Sequence, residues 1–90
     1  MNNIMTTISN MQRSLATTRQ MDVFKFINKH IEKKHVAPTI PEISKKLKIN
    51  SYSVVHRHLR ELQKKGYIHR EKGKRQSMIL LRKLDGSSII

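Results

Sequence analysis

Cysteine and tryptophan are absent from this sequence. Its large aromatic residues are two phenylalanines and two tyrosines. A chain without cysteine has no disulfide, no thiolate metal site and no cysteine nucleophile. So few aromatic rings argue against a surface on which unpaired bases stack. The longest apolar run, Met78 to Leu81, falls far short of the roughly 20 residues that span a membrane. Residues 1–16 contain no signal-peptide pattern, so we expect a cytoplasmic protein.

Acidic residues are scarce as well. Six Asp and Glu stand against 19 Lys and Arg, which gives a formal net charge of +13 over 90 residues. No two carboxylates are placed to act as a general acid–base pair, and the chain is too short for a two-domain enzyme, so we expect no catalytic activity. A positive excess of this size indicates a polyanionic partner. Nucleic acid is the first candidate, and an anionic membrane surface is the second.

The five histidines are the obvious candidates for metal ligands. His56 and His58 lie about 200° apart around a helix, so they cannot chelate one ion together. His30 and His35 straddle a predicted helix end, and neither a cysteine nor a carboxylate cluster accompanies them. We therefore expect no metal and no cofactor, and we interpret His30 and His58 as packing residues.

Two capping boxes predict where the first two helices begin. The residue pairs are Thr17 with Gln20, and Thr39 with Glu42. The first helix should cover about 18–34 and end before Pro38, because the residue before a proline avoids the helical conformation. The second should be short and end near Lys48. Both helices are amphipathic, so their apolar faces should pack together.

A third helix and a hairpin should follow. Ser51 is placed to cap this helix, and Gly66 is a natural stop after Lys65. Segments 67–70 and 77–82 predict two antiparallel strands around a basic loop, to which the short stretch 36–37 could add a third strand. The expected fold is therefore mainly α with a small antiparallel β wing, that is, a winged helix-turn-helix over residues 17–83. Residues 1–16 and 84–90 are expected to be tails.

The third helix separates into two faces when its residues are projected at 100° each. Val55, Leu59 and Leu62 share one side, which predicts the buried face. The opposite side carries Ser53, Arg57, Arg60 and Lys64, and it is flanked by Val54 and His56. An apolar back and a cationic front are what a recognition helix needs in the major groove of DNA.

The order of these residues along the helix predicts their roles. Ser53 and Arg57, near its start, can reach base edges, where arginine is the commonest bidentate reader of guanine. Val54 could contact a thymine methyl group, and His56 could donate to a base or a phosphate. Residues farther back, on the wing or at helix starts are predicted to contact the DNA backbone. These residues are Arg19, Thr39, Arg60, Lys64, Lys72, Lys74 and Arg75.

From Thr17 to Leu81 the sequence resembles the N-terminal DNA-binding domain of LexA repressors. The match needs no gap. The residues that carry it are Thr17, Arg19, Gln20, Val23, Phe24, Ile27, His30, Ile31, Pro38, Thr39, Glu42, Ile43, Leu47, Ser51, His58, Leu59, Leu62, Lys65, Gly66, Ile68, Gly73, Leu80 and Leu81. The resemblance implies a winged helix-turn-helix that binds operator DNA as a transcriptional regulator, most simply a repressor. The base-contacting positions of the family fall on Ser51, Ser53, Val54, His56 and Arg57.

Two departures from the family qualify this resemblance. Familiar members carry small and acidic residues where this chain has Val54, His56 and Arg57, which implies a different operator. The family also continues into a self-cleavage site and a protease domain with a Ser-Lys dyad, whereas this sequence ends at Ile90. We therefore expect a regulator that acts without self-cleavage, of a kind that suits a phage, a plasmid or another mobile element.

Three alternatives stay open at this point. A winged helix can bind a protein instead, as an anti-repressor or as an inhibitor of a polymerase or a nuclease. It can also coat DNA without sequence preference or act in replication initiation. The oligomeric state is open too: a homodimer on inverted half-sites is possible, and the stripe of Ile4, Ile8, Met11 and Leu15 is one candidate seam.

Overall fold

The computed structural model describes residues 15–71 and 77–84. Most of the two expected tails, and the wing residues Lys72, Lys74 and Arg75, lie outside the described residues. The elements in chain order are α1 (Thr18–Lys34), α2 (Ile40–Leu47), α3 (Tyr52–Lys64), β1 (Ile68–Arg70) and β2 (Met78–Leu80). Within the described residues, three helices and two antiparallel strands confirm the expected winged helix-turn-helix.

Both predicted capping boxes are complete. The Thr17 hydroxyl accepts from the backbone N–H of Gln20 at 3.2 Å, and the Gln20 side chain accepts from the Thr17 N–H at 3.0 Å. Thr39 and Glu42 make the same reciprocal pair at 3.2 and 2.9 Å. Each box satisfies two backbone donors that a helix start otherwise leaves without a partner, which is why α1 and α2 begin where the sequence places them.

The ends of α2 and α3 share one backbone motif. After α2, Lys48 adopts a left-handed conformation with φ of 56°, and the N–H of Ile49 returns to the carbonyl of Ser44 at 2.9 Å. After α3, Gly66 has φ of 82°, and the N–H of Tyr67 returns to the carbonyl of Leu62 at 2.9 Å. Both are Schellman motifs. Residues 48–51 form the tight turn of the helix-turn-helix.

The core lies where the three helices meet the first strand. Val23, Phe24 and Ile27 from α1 are fully buried, as is Ile43 from α2. They pack against the remaining buried apolar residues, which are Ile49, Val55, Leu59, Leu62, Tyr67 and Ile68. The apolar periodicity in the sequence therefore identified the faces that hold the scaffold together.

The described part of the chain has a two-stranded sheet, with His69 opposite Ile79 in an antiparallel register. The third strand expected at 36–37 is wrong. The carbonyl of Val36 accepts from Nδ1 of His30 at 2.8 Å, and Pro38 has no N–H to donate to a strand. This segment instead ends α1 and leads into the cap of α2.

Tyr67 connects the beginning of the described chain to the wing. Its hydroxyl accepts from the N–H of Ala16 at 3.0 Å, and its ring meets that of Phe24 edge-on at 5.4 Å. The guanidinium of Arg82 lies 4.8 Å from the centre of the same ring, within the range of a cation–π contact. Tyr67 therefore helps to hold β1, which follows it directly, against α1. None of the helices described has the length and apolar character to cross a membrane.

Candidate nucleic-acid interface

The exposed front of α3 is the candidate interface. Val55, Leu59 and Leu62 on its back are 0% exposed, which confirms the predicted buried face. Ser53, Arg57, Arg60 and Lys64 on its front are exposed. A helix whose back is anchored in a core holds its front side chains in a fixed frame, as base reading requires.

The start of α3 differs from the predicted geometry in one respect. Ser51 occupies the N-cap position with an extended backbone, but its side chain makes no capping hydrogen bond. The expected cap by this side chain is therefore wrong. The helix begins instead with backbone bonds from the N–H groups of Val54 and Val55 to the carbonyl of Ser51, at 3.2 and 3.3 Å. The Ser51 hydroxyl is consequently left exposed to solvent at the start of α3.

The other predicted base-reading residues differ in exposure. His56 is exposed, like Ser53 and Arg57, whereas Val54 is half-buried and packs against the core cluster. Only part of the Val54 side chain can therefore meet a ligand. The structure brings Ser51, Ser53, His56 and Arg57 to solvent on the first two turns of α3.

Tyr52, the first residue of α3, was missed by the sequence reasoning. Its position projects at about 60° from Val55, on the side of the core. Its side chain is nevertheless 54% exposed, whereas Val55 in the same turn is fully buried. A large amphipathic ring therefore lies exposed at the start of α3, between Ser51 and Ser53 in the sequence. Its position in the first turn, directly after the N-cap residue Ser51, is the sequence feature that could have identified it as a candidate site residue.

Arg19 connects α1 to the helix-turn-helix. One guanidinium nitrogen donates to the carbonyl of Leu47 at 2.5 Å, at the end of α2, and another lies 3.7 Å from the carboxylate of Asp22. The side chains of Arg19 and Asp22 are about half exposed. Arg19 thus supports the turn before α3, and part of its guanidinium still faces solvent.

Thr39 is occupied by its capping box. Its backbone N–H donates to Glu42, and its hydroxyl accepts from the backbone of the same residue. The hydrogen bonds from Thr39 and from His30 hold the pKa of Glu42 below its ordinary value of 4.5. A charged carboxylate therefore stands at this helix start, where an incoming phosphate would meet its repulsion.

His30 is a packing residue, as predicted. Its side chain is 7% exposed, with Nδ1 against the carbonyl of Val36 and Nε2 3.2 Å from the carboxylate of Glu42. It therefore joins α1 to the cap of α2. His58 is half-buried on α3, and burial is the main cause that lowers its pKa below 6.5, followed by repulsion from Arg57 and Arg19. Over residues 15–71 and 77–84, no group of three or more His, Asp or Glu could hold a metal ion.

An open, basic groove lies at the far end of α3. Arg60, Glu61, Gln63 and Lys64 line it from the helix, and Arg70 lines it from β1. The backbone N–H of Arg70 donates to the side chain of Gln63 at 3.1 Å, which ties the strand to the helix. Arg60 and Lys64 were predicted from the sequence, whereas Arg70 was not. The signal was the strand alternation, which places Arg70 on the same inward face as Ile68.

Comparison with known proteins agrees with this architecture. The family model described as the LexA DNA-binding domain matches residues 12–77, which include all three helices and the turn between α2 and α3. The chain belongs to the LexA DNA-binding domain family. The wing strand β1 lies within the matched residues, so the family accounts for the element that contributes Arg70 to the groove.

Individual LexA repressors match over most of this chain. That of Enterococcus faecalis is 43% identical over 63 residues, or 70% of this chain and 30% of the relative. That of Finegoldia magna is 37% identical over 65 residues, or 72% and 31%. That of Geobacter sp. strain M21 is 36% identical over 73 residues, or 81% and 36%. The chain thus spans about a third of the length of the curated relatives it matches.

Proposed function

We propose that this chain binds double-stranded DNA in a sequence-specific manner and represses transcription by occupying promoter DNA. The observation that carries the proposal is the two-sided burial of α3, with Val55, Leu59 and Leu62 fully buried and the opposite side exposed. Membership of the LexA DNA-binding domain family supports DNA as the ligand, and the net charge of +13 favours a polyanion.

The base-reading residues in this proposal are Ser51, Ser53, Val54, His56 and Arg57. Arg57 is the strongest candidate for specificity, because a guanidinium can donate two parallel hydrogen bonds to guanine. Ser51 and Ser53 supply hydroxyls that can donate or accept, and His56 supplies a ring nitrogen. Val54 is the weakest member of the set, since it is partly buried and packs against the core.

The backbone contacts in this proposal are assigned to Arg19, Thr39, Arg60, Lys64, Lys72, Lys74 and Arg75. Phosphate contacts fix the register of a protein on the duplex without reading its sequence. Thr39 can contribute only through the hydrogen of its hydroxyl, because the capping box occupies its backbone N–H. When it acts on DNA, the protein is expected in the cytoplasm, associated with the nucleoid.

The test is selection of bound sequences from a random duplex pool at about 150 mM salt, with the 90-residue chain alone. At this salt concentration the sequence-independent phosphate term is weakened, so enrichment reports base reading. We expect an enriched motif. Two inverted half-sites about one helical turn apart would support a homodimer, and a single half-site would support a monomer. Retention of random DNA without enrichment, lost as salt rises, would contradict specific regulation.

A further inference from the structure

The groove at the C-terminal end of α3 is lined by three basic side chains and one acidic side chain. Arg60 and Lys64 come from the helix, Arg70 comes from β1, and Glu61 is the acid in the lining. None of the three cations forms an ion pair with residues 15–71 or 77–84. Like charges that share a groove without ion pairs raise the free energy of the folded state, so a compensating anion would stabilise them.

Arg70 is the member of the groove whose position is hardest to explain by packing. It is half-buried on the inward face of β1, and its Nε atom is buried with no hydrogen-bond partner among residues 15–71 and 77–84. Burial lowers the pKa of Arg70 from its ordinary range, and repulsion from Arg60 lowers it further. A buried guanidinium nitrogen without an acceptor is unusual, because desolvating a charged donor has a high free-energy cost.

The groove also lies at a suitable distance from the base-reading end of α3. Arg60 follows Ser53 by seven residues, which is about 10 Å along the helix axis. The major groove of DNA is about 12 Å wide. When the first turns of α3 reach base edges, the basic groove therefore lies level with a phosphodiester backbone that borders the major groove.

We propose that this groove binds one DNA backbone phosphate and that Arg70 is its principal ligand. The proposal rests on the proposed function. Two phosphate oxygens would accept from the two terminal nitrogens of Arg70 in bidentate geometry, because Nε itself is buried and out of reach. The negative charge would compensate the half-buried guanidinium. Arg60 and Lys64 would add charge from the helix. The hydrogen bond from the Arg70 backbone to Gln63 would hold the guanidinium in register with α3.

The first experiment compares Arg70→Gln and Arg70→Lys in the full chain with a matched control, Lys29→Gln, on the exposed side of α1. The measurement is the DNA dissociation constant against salt concentration. Arg70→Gln should lower the slope of log affinity against log salt by about 0.9, the value for one phosphate contact. Its affinity should fall about tenfold for enriched and random duplexes alike. Arg70→Lys should restore the slope, and Lys29→Gln should not change it.

The second experiment identifies the phosphate. Neutral methylphosphonates replace single phosphates in the duplex, one position at a time. One position should weaken binding by the parent protein and have no further effect on Arg70→Gln, because the contact is then already lost. Thermal unfolding serves as the structural readout. The midpoint of Arg70→Gln should be unchanged or higher, since a buried cation without an acceptor has been removed.

The outcomes separate this inference from the proposed function. A lower unfolding midpoint with an unchanged salt slope would overturn the phosphate role and leave a packing role for Arg70. Equal methylphosphonate effects on Arg70→Gln and the parent at every position would also overturn it. Both results could occur while the random-pool selection still enriches a motif, and then the proposed function stands. A selection without a motif contradicts the function whatever Arg70 does.

Discussion

The starts of α1 and α2 differ from the start of α3. Thr17 and Thr39 each close a complete capping box, whereas Ser51 stands at the same position of α3 and bonds no backbone N–H with its side chain. All three are hydroxyl residues with extended backbones, so the residue type alone does not explain the difference. The two scaffold helices use their hydroxyls for their own stability, and the helix with the exposed cationic front leaves its hydroxyl accessible.

This difference indicates that α3 lacks the stabilisation of a side-chain cap, while its N-cap hydroxyl stays accessible to a ligand. A satisfied N-cap contributes about 1 kcal/mol to a helix, and α3 gives up this contribution at Ser51. The Ser51 hydroxyl therefore remains available as a donor and an acceptor at the start of α3, the helix proposed to read bases. Local sequence rules are expected to fail at functional sites, and the missing cap at Ser51 is consistent with its proposed role in base reading. The comparison can be tested from the largest expected effect to the smallest.

The back of α3 should govern stability. Leu59→Ala removes a side chain that is 0% exposed and leaves a cavity, so we expect a loss of about 2 to 5 kcal/mol in the free energy of unfolding. Urea titration followed by circular dichroism measures it. Lys64→Ala, on the exposed side of the same helix, should change this free energy by less than about 0.5 kcal/mol. A similar loss in both variants would contradict the two-sided description of α3.

The front of α3 should govern discrimination. Arg57→Ala should weaken binding to the enriched sequence by about 1 to 3 kcal/mol, with a smaller effect on random duplexes, because a bidentate base contact is lost. Fluorescence anisotropy with both duplexes measures the difference. Lys29→Ala on α1 is the control. Equal losses on the two duplexes would assign Arg57 to the DNA backbone and remove it from the base-reading set.

The caps test the comparison directly. Thr39→Ala and Thr17→Ala should each lower the free energy of unfolding by about 1 kcal/mol, because each hydroxyl accepts a backbone N–H. Ser51→Ala should change it by only a few tenths of a kcal/mol, yet weaken binding to the enriched sequence. Thermal unfolding and anisotropy on the same three proteins separate the two effects. A destabilisation by Ser51→Ala equal to that of the threonine variants would erase the distinction between the helix starts.

The turn before α3 should tolerate glycine better than lysine. Lys48 has φ of 56°, a conformation that glycine adopts without steric cost, so Lys48→Gly should raise the free energy of unfolding by about 0.5 to 1 kcal/mol. Lys46→Gly, two residues earlier and inside α2, should lower it by about 1 kcal/mol. The opposite signs make the pair a sensitive test by urea titration. Destabilisation by Lys48→Gly would show that the side chain stabilises the turn.

The smallest effect concerns pH. The pKa of His58 lies below 6.5 in the folded protein, mainly because burial disfavours its charged form. Between the folded and unfolded pKa values the unfolded chain binds more protons, so stability rises with pH and falls as pH drops below about 6.5. Urea midpoints at pH 7.5 and 5.5 should therefore differ less for His58→Gln than for the parent. An unchanged difference would assign the pH dependence to other groups.

Much of the fold was predictable because its signals are local. The two capping boxes fixed the starts of α1 and α2, and Gly66 fixed the end of α3, since these motifs involve neighbours within a few residues. The third strand was mispredicted because composition does not show how a carbonyl is used. The carbonyl of Val36 accepts from His30, six residues earlier on α1. Strand formation depends on such specific contacts more than on composition.

The candidate site was predictable only in part. Rotation about the helix axis separates Arg57 from Leu59 without any knowledge of the neighbours. It cannot reveal that Tyr52 stays exposed although it projects on the core side, or that β1 brings Arg70 beside α3. The free hydroxyl of Ser51 was equally hidden, because serine in the N-cap position usually forms the cap. Each miss concerns the three-dimensional surroundings of a side chain, which projection along one helix does not show.

The two tyrosines of this protein are intrinsic fluorophores in two different environments. Tyr52 stands exposed at the start of α3, whereas Tyr67 is 2% exposed under the wing, and no tryptophan in the chain draws excitation energy away from either. Ultraviolet emission from Tyr52 should respond when a ligand covers the start of α3, and emission from Tyr67 should respond when the core unfolds. The two tyrosines therefore give separate fluorescence signals for ligand binding and for unfolding. In Tyr52→Phe the binding signal should be lost and the unfolding signal of Tyr67 should remain.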